Sequence, residues 1–145
     1  MEPSVIEKEL REQAEELGIG DHVLWLDKID YKELPILYSL ADVVINIPEQ
    51  DGLPITVLEA SACMTPVITS DLPAYQEFLS EGAYVRVRSG DVEALANAIH
   101  DTLRKSPDQL AGDLKTNFEL VLNKAEQKKC FFVMKNIYME AQKLA

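Results

Sequence analysis

Cysteine is nearly absent from this sequence of 145 residues: Cys63 and Cys130 are its only two. Neither belongs to a CxxC or a Cys/His spacing, so no metal site and no redox motif is expected, and both read as reduced core thiols on apolar helical stretches. Positive charge is scarce as well. Fourteen Lys and Arg face 25 Asp and Glu, a formal net charge of −11, and that field repels phosphate backbones and anionic membranes. Nucleic acid is therefore not an expected partner, although a helix N-terminus still lets an acidic protein hold a small anion. Long apolar runs are missing: none approaches the ~18 residues of a membrane span, and no basic start followed by an apolar segment succeeds Met1. The expected compartment is the cytoplasm. There is no G-x-S-x-G, no Walker A loop and no matched partner for His22 or His100, so serine hydrolysis and P-loop chemistry drop out. Repeats, low-complexity tracts and interdomain linkers are absent too. What remains is 47% hydrophobic and 27% charged, the profile of a globular chain, and the length fits a single domain over 1–145.

Strand-like and helix-like segments alternate. VIEKELREQAEEL (5–17) places Ile6, Leu10, Ala14 and Leu17 on one helical face and stops at Gly18. VLWL (23–26) has strand length. Asp30 and Glu33, at capping-box spacing, open the helix YKELPILYSLA, which keeps Pro35 in its early turn. DVVINIP (42–48) is β-branched and suits a fully buried parallel strand. The helix around Thr56 to Met64, the strand PVITS, the short helix PAYQEFLS and the strand AYVRV follow. The remainder is helical. Asp91 caps VEALANAIHDTLRK with Val92, Leu95, Ala96, Ile99 and Leu103 on its face; Ser106 and Pro107 stop and restart the chain. Asn123 and Glu126 open a last helix whose stripe is Val133, Met134, Ile137, Tyr138, Ala141 and Leu144, which makes Lys124 to Lys129 its solvated start. The predicted fold is α/β, a Rossmann-like parallel sheet with helices on both faces, ending in long helices.

In such sheets ligands collect at the carboxyl ends of the strands, and PEQDGLP follows DVVINI at that place. Gly52 permits a tight turn and close backbone approach, Pro54 fixes the helix start, and N–H groups near Ile55, Thr56 and Val57 face outward at the positive dipole end. Glu59 interrupts a helix that otherwise reads as core. A buried carboxylate is costly unless paired, so Glu59 is either on a solvated face or kept for a ligand. With Asp51 from the loop, two carboxylates offer good acceptors for vicinal sugar hydroxyls.

DGLPITVLEASACMTPVI (51–68) resembles the donor-site run of the group 1 glycosyltransferases, retaining sugar-nucleotide enzymes of the GT-B fold, written around E-G-L-P…L-L-E-A-M-A-C-G-T-P-V-I. Asp51 replaces the first Glu and Met64 a usual Gly. LADVVINIPEQ and SDLPAYQEFLSEGAYVRVRSGDVEALANAI extend the resemblance over nearly the whole chain. It implies a nucleotide-diphosphate sugar as donor substrate and no cofactor. Glu59 would hold the ribose hydroxyls, Asp51 the transferred sugar, the backbone of Gly52, Leu53, Pro54 and Ile55 the sugar and diphosphate oxygens, and Lys28 and Ile29 would touch the base. No catalytic residue is assigned.

The family's basic Gly-Arg and Lys-Gly pair and its acceptor domain have no counterpart here. The resemblance thus implies an N-terminally incomplete donor domain without turnover on its own; the alternative is a noncatalytic Rossmann-like fragment or subunit acting through protein association. Two family strands that would lie between VLWL and DVVINI are missing as well. DVVINI is accordingly expected to carry an unpaired edge that either pairs VLWL directly or supports a homodimer.

Overall fold

A computed structural model describes residues 4–143, which divide into two compact units, Met1–Tyr31 and Lys32–Ala145. In the first unit, helix α1 (Val5–Glu16) starts at Ser4, whose side chain accepts a hydrogen bond from the Glu7 N–H at 3.2 Å. It ends at Gly18, in the left-handed region at φ 68°. The Gly18 N–H donates to Glu15 O and the Ile19 N–H to Ala14 O, the paired bonds of a Schellman motif, which glycine enters without a Cβ penalty. Of the expected apolar stripe only Ala14 is buried; Ile6, Leu10 and Leu17 are exposed.

A single 3-10 turn at Gly20–His22 follows, and then the chain departs from expectation. Residues 23–26 form no strand, so VLWL does not pair with DVVINI. Val23 and Trp25 are half-buried while Leu24 and Leu26 are exposed, Leu24 by 81%. The alternation is that of a strand, but a strand also needs a neighbour for its N–H and C=O groups. Within the segment, Trp25 lies instead under the Arg11 guanidinium, 4.7 Å from the centre of its ring.

The second unit is a three-stranded parallel sheet in the order β1 (Val44–Asn46), β2 (Val67–Ser70), β3 (Val85–Val87). Val44 pairs with Val67, and Asn46, Thr69 and Arg86 share one row across all three strands. Every β2 residue is buried. β1 is an edge, and for that reason Ile45 is 44% exposed rather than fully buried as the β-branched run implied.

Helices α2 (Leu34–Leu40), α3 (Ile55–Ala62), α4 (Pro73–Phe78), α5 (Val92–Leu103), α6 (Pro107–Lys124) and α7 (Gln127–Lys143) complete the unit. One core gathers Val57, Leu58, Ala60, Val67, Tyr75, Leu79, Tyr84 and Leu120, so α3, α4 and α6 cover that side of the sheet. The opposite side packs Ile68 and Val87 against Ala94, Leu95, Ala98 and Ile99 of α5. The α5 face is thus rotated from the one read in the sequence: Val92, Ala96 and Leu103 are exposed, and Ala98 and Thr102 are buried. Among the described residues no helix is long and apolar enough to cross a membrane.

Helix starts follow local chemistry where polar side chains are available. The Asp91 carboxylate accepts from the Ala94 N–H at 2.9 Å. Ser106 and Gln109 form a capping box with Pro107 in the first turn. At α2, by contrast, the helix begins at Leu34, with Pro35 in its first turn and no side-chain cap from Glu33. The last boundary also moves: Asn123 lies inside α6, because Leu120 and Val121 pack on the core and carry the helix on to Lys124. Glu126 alone caps α7, accepting from the Lys129 N–H at 2.9 Å.

Along α7, Val133, Met134 and Ile137 are exposed; Leu144 and the side chains of Tyr138 and Ala141 lie outside the described residues. Cys130 sits on this uncovered helix and is exposed, not a core thiol, and Cys63 is half-buried. His22 and His100 are exposed, as expected.

Candidate functional site

The segment leaving β1 is fastened to the end of β2, where the Ser70 hydroxyl donates to Pro48 O at 2.6 Å. This fixes the loop 49–54 over the carboxyl ends of the strands. Pro54 is fully buried, which pins the far end of the loop, while Asp51, Gly52 and Leu53 are exposed. Between Glu49–Gly52 and Leu72–Ala74 opens a recess of about 590 Å³. A second, of about 370 Å³, lies between Gly52, Ala74, Glu77, Phe78 and Lys124. Lys124 ends α6, so it is no part of a solvated start to α7: its Nζ pairs with Glu81 at 2.9 Å and donates to Phe78 O at 3.3 Å.

Asp51 is held by two donors. The Gly52 N–H donates to Oδ1 at 2.7 Å and the Tyr75 hydroxyl to Oδ2 at 2.5 Å. The Tyr75 bond is the main cause that holds the Asp51 carboxyl below its usual range. Burial, then the same carboxylate, push the Tyr75 phenol well up, and the Asn46 side chain approaches that hydroxyl from the end of β1.

Glu59 is the fifth residue of α3, about 6 Å along the axis from Ile55 at 1.5 Å per residue. It is half-buried, and its Oε2 accepts from the Tyr38 hydroxyl of α2 at 3.0 Å. Burial first and Glu59 second push the Tyr38 phenol up to about 12. Tyr38 is itself held in place, its carbonyl accepting from the Thr65 hydroxyl at 2.7 Å. The carboxylate within an apolar helix is therefore a paired one.

Two details of the turn differ from expectation. The Ile55 N–H donates to Leu53 O at 2.8 Å, and the first bond of the helix runs from Leu58 N–H to Pro54 O at 3.0 Å. Ile55 is thus not an outward donor, whereas Thr56 and Val57 have no helical carbonyl four residues behind them. Gly52 is not in the left-handed region, and a Cβ built on it would meet nothing within 4 Å. The turn does not demand glycine there, and what Gly52 leaves is bare backbone beside both recesses. Met64 does occupy the left-handed region, at φ 57°. The Met64 N–H donates to Ser61 O and the Thr65 N–H to Ala60 O, a Schellman motif like that of Gly18 but built on a residue with a Cβ.

Of the residues expected at the site, Asp51 to Ile55 form the loop and helix start, and Glu59 follows on α3. Lys28 and Ile29 belong to the first unit, where Lys28 is exposed and Ile29 half-buried. Tyr38, Tyr75, Ser70 and Lys124 were not foreseen. Each acts across the fold, with no local spacing to announce it.

Similarity to known proteins fits this geometry. The family described as Glycosyl transferases group 1 matches residues 6–120. This chain belongs to that family. Within the group 1 glycosyltransferases it is 33% identical over 102 residues to the O-antigen chain mannosyltransferase RfbU of Salmonella typhimurium, covering 70% of this chain and 28% of that protein. It is 34% identical over 103 residues to a GDP-mannose-dependent alpha-(1-6)-phosphatidylinositol monomannoside mannosyltransferase of Mycolicibacterium smegmatis, covering 65% of this chain and 27% of the other. The chain thus spans about a quarter of the length of these relatives. Among solved structures, a sucrose-phosphate synthase from Thermosynechococcus elongatus superposes with a TM-score of 0.83 at 26% identity, over the whole of this chain and 36% of that one. The fold of this group 1 glycosyltransferase chain is accordingly GT-B in type.

Proposed function

We propose that the chain binds a nucleotide-diphosphate sugar as the donor-binding part of a retaining glycosyltransferase in the cytoplasm. The observation that carries the reading is the pair of tyrosine-held carboxylates, Asp51 and Glu59, on either side of the uncapped start of α3. Glu59 accepts the ribose hydroxyls, and Asp51 the hydroxyls of the transferred sugar. The N–H groups of Thr56 and Val57, with the positive end of the helix dipole, face the diphosphate.

Negative charge grows on that diphosphate as the glycosyl bond breaks, and donors already aimed at it lower the barrier without reorganising. Nothing in this segment requires a metal for that role. An acceptor-binding region completes the reaction in a whole enzyme; the 145 residues alone bind donor without turnover. A relative named as GDP-mannose-dependent makes GDP-mannose the first probe, and UDP-glucose, with a different base and sugar, serves as the second.

Titration calorimetry tests the reading. The chain binds one of these donors, and Glu59→Ala weakens binding by about 1–3 kcal/mol, the worth of hydrogen bonds to a charged acceptor. Absence of binding to GDP-mannose, UDP-glucose, GDP and UDP at millimolar concentration overturns it.

A further inference from the structure

We propose that Tyr75 and Tyr38 are positioning residues that aim the two carboxylates, Tyr75 setting Asp51 towards the transferred sugar and Tyr38 setting Glu59 towards the ribose. The inference rests on the donor-binding reading and adds to it which residues govern its two halves. Asp51 stands on an exposed loop, where a side chain with two free torsions samples several directions. Its partner is packed on all sides. Tyr75 is 0% exposed, its ring packed in the core with Leu79. A buried phenol needs a partner for its O–H, so the bond to Oδ2 ties a loop carboxylate to the sheet.

Tyr38 does the same for Glu59 from the other side, with its own backbone held by Thr65. The geometry of the two bonds is therefore set by the fold before any ligand arrives, and this is preorganisation. A carboxylate has about four acceptor positions. The Tyr38 hydroxyl on Glu59, and the Tyr75 hydroxyl with the Gly52 N–H on Asp51, leave acceptor positions for ligand hydroxyls on both.

A tyrosine that merely fills the core differs in a measurable way, because the two positioning roles fall on different parts of the ligand. Tyr75→Phe and Tyr38→Phe keep the rings, and each is titrated with GDP-mannose and with GDP. The expected result for Tyr75→Phe is a loss of about 3- to 10-fold for GDP-mannose, the worth of one hydrogen bond, with GDP affinity unchanged. Tyr38→Phe weakens both ligands by a similar factor. In the ligand-free protein, carbon-13 titration of the Asp51 carboxyl moves back up towards its ordinary range in Tyr75→Phe and stays put in Tyr38→Phe.

Unchanged affinities in both variants, or equal losses for GDP and GDP-mannose in Tyr75→Phe, overturn the assignment while leaving donor binding intact. Failure of the unaltered chain to bind any nucleotide removes the donor-binding reading itself. Asp51→Asn reads the Tyr75 arm from its other end if Tyr75→Phe does not fold. It loses GDP-mannose affinity with GDP retained, and equal binding of both ligands at the unaltered level counts against the proposal.

Discussion

Asp51 and Glu59 are eight residues apart and each accepts a hydrogen bond from a tyrosine, yet the two arms are built differently. The Glu59 arm lies within regular structure: one partner sits in the second turn of α3, the other on α2, and the pair is half-buried. The Asp51 arm joins an exposed loop to a fully buried ring. In the first, backbone hydrogen bonds already fix where the carboxylate stands and the tyrosine refines its direction. In the second, the tyrosine supplies most of the order, since the loop has few internal bonds of its own. One carboxylate is thus placed by its own helix, the other by a tyrosine from a distant one.

The sharpest way to break this comparison is to remove the rings. Tyr75→Ala opens a cavity beside Val57 and Leu79 and is expected to cost about 3–5 kcal/mol, the range for deleting a buried aromatic. Tyr38→Ala gives up a half-buried ring and is expected to cost about 1–2 kcal/mol on the area removed from water. Urea denaturation of both variants measures the difference. Equal losses would mean that the two arms are equally embedded.

Alkali distinguishes the arms next. The Tyr38 phenol, raised to about 12, is favoured neutral in the folded state relative to an unfolded tyrosine near 10. Its contribution is therefore complete below pH 10 and disappears as the pH climbs towards 12. In Glu59→Gln, where the carboxylate's charge is gone, the loss still begins near pH 10 but is smaller and levels off at a lower pH. A denaturation series at pH 9, 10 and 11 reads the change, and identical profiles for the two proteins would deny Glu59 its part in holding Tyr38.

Met64 gives a smaller effect confined to the Glu59 arm. The left-handed conformation at φ 57° costs a residue with a Cβ about 1 kcal/mol relative to glycine. Met64→Gly is expected to stabilise the chain by about 0.5–1 kcal/mol. Gly18, at the same position of the same motif in α1, shows the reverse in Gly18→Ala, because it already has the residue that the geometry favours. A shift of melting temperature in the same direction for both substitutions would contradict the reading of these helix ends.

The reach of the sequence follows the same line between local and distant causes. Strands at 42–48, 66–70 and 83–87 were legible because β-branched runs bounded by Pro48, Pro66 and Gly82 carry their own signal, though pairing trims them to the residues with a partner on the adjacent strand. The loop and the place of Glu59 were legible because Pro54 and the apolar period of α3 mark where the helix starts. VLWL has a strand's alternation but no ladder, and a ladder is a property of another segment. The end of α6 was missed because packing of Leu120 and Val121 outweighs the cap at Asn123. Tyr38 and Tyr75 were invisible for the plainest reason: their partners lie 21 and 24 residues away, and no periodicity reaches so far.

Acid provides the gentlest test of the Asp51 arm. The Asp51 carboxyl is held below its ordinary range chiefly by the Tyr75 hydroxyl, which outweighs the opposing effect of burial, with lesser help from the Gly52 N–H. A depressed carboxyl stabilises the fold above the pKa of the unfolded chain, near 3.9, and that contribution is lost as the pH falls through the lower value in the folded state. The effect is small because Asp51 is exposed and water screens its charge. Tyr75→Phe removes the leading cause, so the slope of stability between pH 5 and pH 3 should flatten in that variant. Tyr38→Phe, which leaves Asp51 and its donors alone, should keep the slope of the unaltered chain. If both variants flatten equally, the two carboxylates are coupled through the start of α3, and the separation between a loop arm and a helix arm fails.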